Sequence, residues 1–277
     1  MISSTANSRV KRVVSLREKS RERTGENVFI VEGIKMFEEA PTDKIREVYY
    51  MEEKLFGQNG QGLNDRFSGL KEKIQACAWA GAFVETVTEE VLLKMSDTKS
   101  PQGILCVMEQ LSYDSGELVE RALAKKRAGH SPLFLLLEDI QDPGNLGTMI
   151  RTAEGAGADG IFMTSGTVDI YNPKTIRATM GSLYRVPFVR TQDLCGITSL
   201  LQKNGITVYA AHLKGEQYYH ETDYSGGSAF LIGNEGNGLK KETADLADCY
   251  LKIPMEGKLE SLNAAIAAAL LMYQSRQ

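Results

Sequence analysis

LFLLLEDIQDPGNLGTMIRTAEGAGADGIFMT, residues 133–164, reads as a strand, a turn, a helix and a second strand. The unbroken apolar run from Leu133 to Leu137 suits a strand covered on both faces. Asp142, Pro143 and Gly144 make the turn out of it, and a helix begins near Asn145, where the amide is placed to cap the backbone and to face a ligand. Leu146, Met149, Ile150 and Ala153 fall on one stripe at helical spacing, which is the core face, so Arg151 points away from it. Gly147 lies one turn before Arg151 on nearly the same face and leaves its approach uncrowded. Gly155, Gly157 and Gly160 spell G-x-G-x-x-G, but they close a helix and lead into a strand. A dinucleotide site needs the opposite order, so Gly155 and Gly157 are read as helix termination.

Outward from this stretch, apolar runs at 206–211, 229–233 and 250–253 alternate with helical patterns. The alternation predicts an α/β fold with a mostly parallel sheet covered by helices on both faces. Ligands in such sheets bind beyond the carboxyl ends of the strands, so the segments after each run are where chemistry is expected. Upstream, candidate strands at 28–31, 45–51, 83–87 and 103–107 are separated by helix-like stretches and form a smaller α/β module, with 57–69 as an exposed loop. The expected division is a first domain over 1–110, a polar helical linker over 111–130 and a second domain over 131–277.

Two of these trailing segments carry short polar residues. FLIGNEGNGL runs from a buried strand into Gly233, Asn234, Glu235, Gly236, Asn237 and Gly238. Glycines and asparagines there permit positive φ and close backbone approach, a property that a sharp turn needs as much as a ligand site does. Glu235 inside the turn is placed to orient an Arg or accept a hydrogen bond. In YLKIPMEGKLESLNAAIAAALLMYQ, a strand ends at Ile253, Pro254 and Met255, and an apolar, alanine-rich helix follows with Ser261, Leu262 and Asn263 in its first turn. Ser261 suits a helix cap; Asn263 is harder to assign to that role.

Net charge is −4, which argues against indiscriminate coating of nucleic acid, because that binding requires many phosphates to be neutralised. Charge is nonetheless uneven. Arg9, Lys11, Arg12, Arg17, Lys19, Arg21 and Arg23 face only Glu18 and Glu22 within the first 25 residues. Such an arm fits docking to one particular polyanion, and equally a solvated terminal helix. Cys77, Cys106, Cys195 and Cys249 lack the pairing of zinc or redox motifs, and His130, His212 and His220 form no metal-like cluster, so no metal is expected. The N-terminal residues lack a signal-peptide core and no run suffices to span a bilayer, so no membrane association and a cytoplasmic location are expected.

The three C-terminal segments together resemble the SpoU (TrmH-like) family of RNA 2′-O-ribose methyltransferases, of the SPOUT class. Asn145, Gly147 and Arg151 have the spacing of the family's first motif, Gly-Asn-Glu-Gly at 233–236 is its second, and Ile-Pro-Met followed by Ser-Leu-Asn is its third. MGSLYRVP looks like the segment between motifs. Ala264 and Ala265 depart mildly from the family pattern and touch no reactive group. More loosely, Asn7 and Lys11, FIVEGIKM and SPQGILCV are similar to the substrate-binding module of ribosomal-RNA members.

The resemblance implies a trefoil knot, a homodimer through the knotted domain and S-adenosylmethionine as cofactor. It implies Arg151, Asn145, Glu235, Ser261 and Asn263 as the catalytic set. Gly233, Ile253 and Leu262 match cofactor positions; Asn234 and Met255 adjoin them, and Ala211 and His212 offer backbone contact at the end of a strand. Arg9, Lys11, Arg12 and Arg17 are the expected RNA contacts. Ribosomal RNA is the expected substrate; transfer RNA is the nearest alternative. A non-catalytic RNA-binding or ribosome-assembly factor is a rival of another class, discouraged by the intact polar set, as base methylation is by the Asn-Gly-Arg and Ser-Leu-Asn pair.

Overall fold

Val10, Val13 and Leu16 repeat at helical spacing in α1 (Ser8–Glu18) and are fully buried, which docks this helix rather than leaving it in solvent. α2 (Ser20–Glu26) follows and ends at Asn27 in the left-handed conformation. β1 (Val28–Glu32), α3 (Ile34–Glu39), β2 (Ile45–Tyr50), α4 (Glu52–Phe56), α5 (Ser68–Trp79), β3 (Phe83–Thr86), α6 (Glu89–Met95) and β4 (Ile104–Glu109) complete this part. Its four strands lie in the order β1-β4-β2-β3. β4 is antiparallel to both neighbours, and β2 and β3 are parallel. This computed structural model describes residues 1–57, 68–212, 215–259 and 261–277. Most of the loop expected at 57–69 lies outside the described residues; Gly69 belongs to α5.

The rest of the chain runs through α7 (Ser115–Arg127), β5 (Leu133–Leu137), α8 (Pro143–Gly155), β6 (Gly160–Thr164), α9 (Pro173–Thr179), β7 (Phe188–Thr191), α10 (Leu194–Lys203), β8 (Thr207–Ala211), β9 (Gln217–Tyr218), β10 (Ser228–Ile232), α11 (Lys241–Ala244), β11 (Cys249–Lys252) and α12 (Ala264–Gln274). All its strand pairings are parallel, in the order β7-β6-β5-β10-β8-β11-β9. β5 and β10 are buried at every position, as central strands covered on both faces must be. Gly155 ends α8, Gly157 has φ +67 and Arg276 donates to the carbonyls of Ala156 and Gly157, so the glycine run does terminate a helix. Among the described residues no helix is long and apolar enough to cross a membrane.

By contacts the chain forms two units, residues 1–111 with 169–184, and residues 112–168 with 185–277. Two expectations change accordingly. The stretch read as a linker holds α7, whose Leu118, Val119 and Ala122 belong to the hydrophobic core of the second unit. Residues 169–184, read as part of the second domain, are integral to the first unit. There the Tyr171 ring packs 4.5 Å from that of Phe29, and its hydroxyl exchanges hydrogen bonds with the Leu111 backbone. β7 and β9 escaped the sequence reading because short edge strands have too few apolar residues to show a period.

The basic arm also differs from expectation. Arg12 bonds Glu26 and Glu47 at 2.7 Å, and Arg17 donates to the carbonyls of Lys94 and Ser96. The Arg9 guanidinium lies 3.8 Å over the Phe83 ring. Of the four expected RNA contacts, Lys11 alone has a side chain without a hydrogen bond or ion pair among the described residues. Counting charges along the arm missed these partners because Glu47 and Phe83 are distant in sequence. Arg23 is buried, bonding Asp169 at 2.5 Å and the carbonyls of Leu16 and Arg17 at 2.7 and 3.0 Å. Removing one partner of a buried pair strands the other. Arg23→Ala is therefore expected to destabilise the first unit by about 3 kcal/mol, seen as an earlier urea transition; an unmoved transition would mean the pair contributes nothing net.

Candidate active site

β5 ends at Leu137, and the chain passes through Glu138, Asp139 and Gln141 into α8. Asp142 is the N-cap, its Oδ1 accepting from the Asn145 backbone N–H at 2.8 Å, with Pro143 in the first helical position. Asn145 is thus inside the first turn and does not cap it, which leaves its side chain free for other contacts. The Asp-Pro pair carried this signal in the sequence.

The Glu235 carboxylate accepts three hydrogen bonds at 3.0 Å, from the backbone N–H groups of Gln141 and Asp142 and from Asn145 Nδ2. Asn145 Oδ1 in turn accepts from Asn263 Nδ2 at 3.0 Å. Asn263 Oδ1 caps α12, accepting from Ala265 and Ile266. Three segments separated by 90 and 118 residues therefore meet in one relay. Its direction is set at both ends: a carboxylate can only accept, and the Asn263 oxygen is held by backbone donors. Burial pushes the Glu235 carboxyl up, but donation from Gln141, Asn145 and Asp142 outweighs this and holds it below the usual carboxylate range.

The structure brings together Asn145, Glu235 and Asn263. It does not join Arg151 or Ser261 to them within one chain. The Arg151 side chain is exposed, without a hydrogen bond or ion pair among the described residues, and the six-position step from Asn145 carries it about 9 Å along the helix and onto another face. Glu235 is thus engaged with Asn145 and backbone rather than with Arg151. Gly147 is buried, so it serves packing rather than an open approach to Arg151. Ser261 is exposed in the loop before α12, and the capping role expected of it falls to Asn263 because the helix starts at Ala264.

The 233–238 turn closes on itself. A Cβ at Gly233 would overlap the Gly238 carbonyl carbon and the Leu239 nitrogen, so glycine is required there by the turn. Asn234 donates to the Asp139 carbonyl at 2.9 Å and accepts from the Gly236 and Asn237 N–H groups. Its side chain is consumed in the turn, which leaves only its backbone for the expected cofactor contact. Sequence reasoning missed Asp139, held at φ +51, and Lys240, which bonds its carboxylate at 2.6 Å. The two lie 101 residues apart, so no local pattern relates them.

The expected cofactor positions share one edge of the sheet. β10, β8 and β11 are adjacent and parallel, so Gly233, Ala211 with His212, and Ile253 with Met255 leave side by side. The His212 N–H donates to the Leu251 carbonyl at 3.0 Å, and its ring stacks on Tyr250 at 4.8 Å. Gly215 lies so near the Leu251–Lys252 peptide that a Cβ would clash with it. Ile253, Met255 and Leu262 are half-buried. Backbone edges and half-buried apolar side chains fit a flat heteroaromatic group held mainly by peptide contacts.

A covered parallel sheet with polar groups converging beyond its carboxyl edge defines a ligand-binding α/β domain of the kind in which chemistry sits on the strand-end loops. The family described as SpoU rRNA Methylase matches residues 132–273, and one described as MRM3-like substrate binding domain matches residues 7–106. The chain is 33% identical over 275 residues to 23S rRNA (guanosine(2553)-2'-O)-methyltransferase RlmP of Bacillus subtilis (strain 168), covering 99% of this chain and 98% of that protein. The crystal structure of the AdoMet-bound rRNA methyltransferase from Sinorhizobium meliloti superimposes with a TM-score of 0.83 at 30% identity, covering 99% of this chain and 96% of that one. The chain belongs to the SpoU rRNA methylase family.

Glu235→Gln places an amide where three donors require an acceptor and is expected to lower turnover at least tenfold, an effect of about 1.4 kcal/mol or more on the barrier. Because folding depresses the Glu235 carboxyl, its contribution to stability is complete above its unfolded value and is lost as pH falls through the lower folded value. The stability gap between wild type and Glu235→Gln, followed by denaturant unfolding, should therefore be widest near neutral pH and close in acid. A gap independent of pH would remove the carboxylate from the relay.

Proposed function

We propose that this chain is an S-adenosylmethionine-dependent RNA 2′-O-ribose methyltransferase acting on ribosomal RNA in the cytoplasm, through a homodimer of trefoil-knotted second units. The observation that carries this reading is the Glu235–Asn145–Asn263 relay, which fixes one amide at the meeting point of the three family motifs. The relatives support the substrate and cofactor: one is named for methylating a guanosine 2′-oxygen of 23S rRNA, the other was crystallised with AdoMet. The close passage of Gly215 along β11 is consistent with a knotted crossing.

The bound cofactor supplies a methyl group activated by a positively charged sulfur. Gly233, Ala211, His212, Ile253, Met255 and Leu262 would hold it through peptide groups and apolar contacts, and Asn234 through its backbone. The acceptor is a ribose hydroxyl, whose oxygen must be in line with the methyl group and must lose a proton. Arg151 stays protonated at ordinary pH and is a poor base. Its role is to bind the phosphate beside the target ribose and to stabilise the developing alkoxide, while the proton leaves to phosphate or water. Asn145, held by Glu235 and Asn263, orients the ribose, and Ser261, exposed two residues before Asn263, adds a hydroxyl to the same end of the site. Positioning of this kind can supply much of the acceleration.

Arg151 reaches the relay from the partner protomer. One turn after it, Gly155 abuts Tyr273: a Cβ at Gly155 would lie 2.7 Å from the Tyr273 hydroxyl. Tyr273 and Ile266 are about half exposed on α12, at 51% and 49%, and form an apolar stripe with the half-buried Leu270 between them. A symmetric copy seated on that stripe would bring each Arg151 to the other relay. Selection of the RNA falls to the first unit, in keeping with its match to a substrate-binding domain. Lys11 and the outward part of Arg9 are its available cations on α1; Arg12 and Arg17 serve mainly to hold the unit together.

Arg151→Ala is expected to abolish methyl incorporation into ribosomal RNA while leaving calorimetric cofactor affinity within about twofold. Equal loss of both would make Arg151 structural. Mixed after co-expression, inactive Arg151→Ala and inactive Asn263→Ala chains should recover activity, since one of the two sites in a hybrid dimer is intact. No recovery would mean that each chain uses its own arginine. Tyr273→Glu should give a monomer by light scattering, without turnover; an active monomer would end the dimer requirement.

A further inference from the structure

A cavity adjoins the relay and the cofactor positions, sharing Gln141 and Asn234 with them. It has a volume of about 290 Å³ and lies beyond the carboxyl ends of β5, β6 and β10, lined by Asp139, Gln141, Gly166, Asn237, Gly238 and Lys240 among others. The cofactor positions lie beyond β10, β8 and β11. The 233–238 turn, which supplies Asn237 and Gly238 to the cavity, therefore lies between it and the expected cofactor positions. Pockets for small molecules usually run from about 300 to 1,000 Å³, so this one is sized for a single ring system rather than a whole nucleotide.

The cavity wall is built to hold its shape. Asp139 has a left-handed backbone at φ +51, uncommon outside glycine. Thr164 Oγ1 accepts from its N–H at 2.9 Å and donates to its Oδ1 at 2.8 Å. Its carbonyl accepts from both Gln141 Nε2 and Asn234 Nδ2. Beneath it the buried Glu138 carboxylate takes the Lys240 backbone N–H at 2.8 Å and the Thr243 hydroxyl. Strained backbone that the surroundings hold this firmly is concentrated at functional sites.

Spare bonding capacity faces the opening. Asp139 Oδ2 meets Lys240 Nζ at 2.6 Å, and the Lys240 side chain is 62% exposed. An ion pair so open to water is easily exchanged for ligand contacts. The Asn237 side chain is exposed and has no hydrogen bond among the described residues. A carboxylate beside an ammonium matches guanine, whose N1–H and N2–H₂ donate side by side while O6 and N7 accept. Adenine presents a single amino donor in place of that pair. The Lys240 and Thr164 hydrogen bonds hold the Asp139 carboxyl below its ordinary range, so it stays an acceptor at neutral pH.

We infer that this cavity binds the guanine base of the target nucleotide, with Asp139 accepting from its donor edge and Lys240 and Asn237 bonding its acceptors. The inference rests on the methyltransferase reading and deepens it. Every nucleotide offers the same ribose, and here the catalytic unit reads the base while the relay next to it holds the sugar. Splayed-out bases of single-stranded RNA are commonly recognised by such edge contacts.

The test begins by mapping the nucleotide that the wild-type protein methylates in unmodified, in vitro transcribed ribosomal RNA. A guanosine is expected; any other base overturns the proposal. That guanine is then replaced by inosine or adenine and kcat/KM is measured at saturating S-adenosylmethionine. Loss of the 2-amino group should lower kcat/KM several-fold and adenine at least tenfold. Lys240→Gln and Asn237→Ala should reduce the preference for guanine over adenine at least fivefold, with calorimetric cofactor affinity as the check on folding. Equal kcat/KM for all bases in the wild type, or an undiminished preference in both variants, overturns the cavity assignment and leaves the methyltransferase reading standing. Failure of the wild type to methylate any RNA would overturn that reading, and the cavity assignment with it.

Discussion

The Glu235 carboxylate is the constraint on which the site depends. It occupies a turn that could not close without Gly233, and it holds the two backbone N–H groups at the entrance to α8 together with the Asn145 amide. Those backbone groups precede the first hydrogen-bonded turn of α8, where helices leave donors unmatched. An anion at that end is favoured by the helix dipole as well as by direct donation. One side chain thereby satisfies a helix start, locks a turn and sets the orientation of the Asn145 amide.

The fold makes this economical. Parallel strands deliver their following loops to the same edge, so β5, β10, β8 and β11 set four loops in a row without long connections. Order along the sheet then decides which loops share a ligand. The 233–238 turn, on the central strand β10, lies between the loops that follow β5 and β8.

Much of the second unit was legible in the sequence because fully buried strands are unbroken apolar runs. Leu133 to Leu137 coincides with β5, and 206–211, 229–233 and 250–253 fall within a residue of β8, β10 and β11. The convergence of Asn145, Glu235 and Asn263 was legible only through the family resemblance, since nothing local relates residues 118 apart. The roles of Ser261 and Asn263 were exchanged because a cap depends on where the helix begins, and an alanine-rich helix gives no sharp start. The cationic arm was misjudged for a different reason. Charge along a segment says nothing of the acidic and aromatic side chains that tertiary structure sets against it, and Arg12 and Arg17 were already engaged. The affiliation of residues 169–184 with the first unit was likewise invisible, because it follows from Asp169 meeting Arg23 and Tyr171 meeting Phe29.

Asn263 does two jobs with the two ends of one amide: its oxygen starts α12 and its nitrogen reaches Asn145. Serine or aspartate would serve a helix start about as well, but neither combines that acceptor with an N–H donor pointed the other way. The range of residues tolerated at 263 is therefore narrower than for an ordinary cap. It also gears the two regions mechanically, since any shift of α12 along its axis, including one transmitted from its exposed apolar stripe, must drag the orienting amide with it.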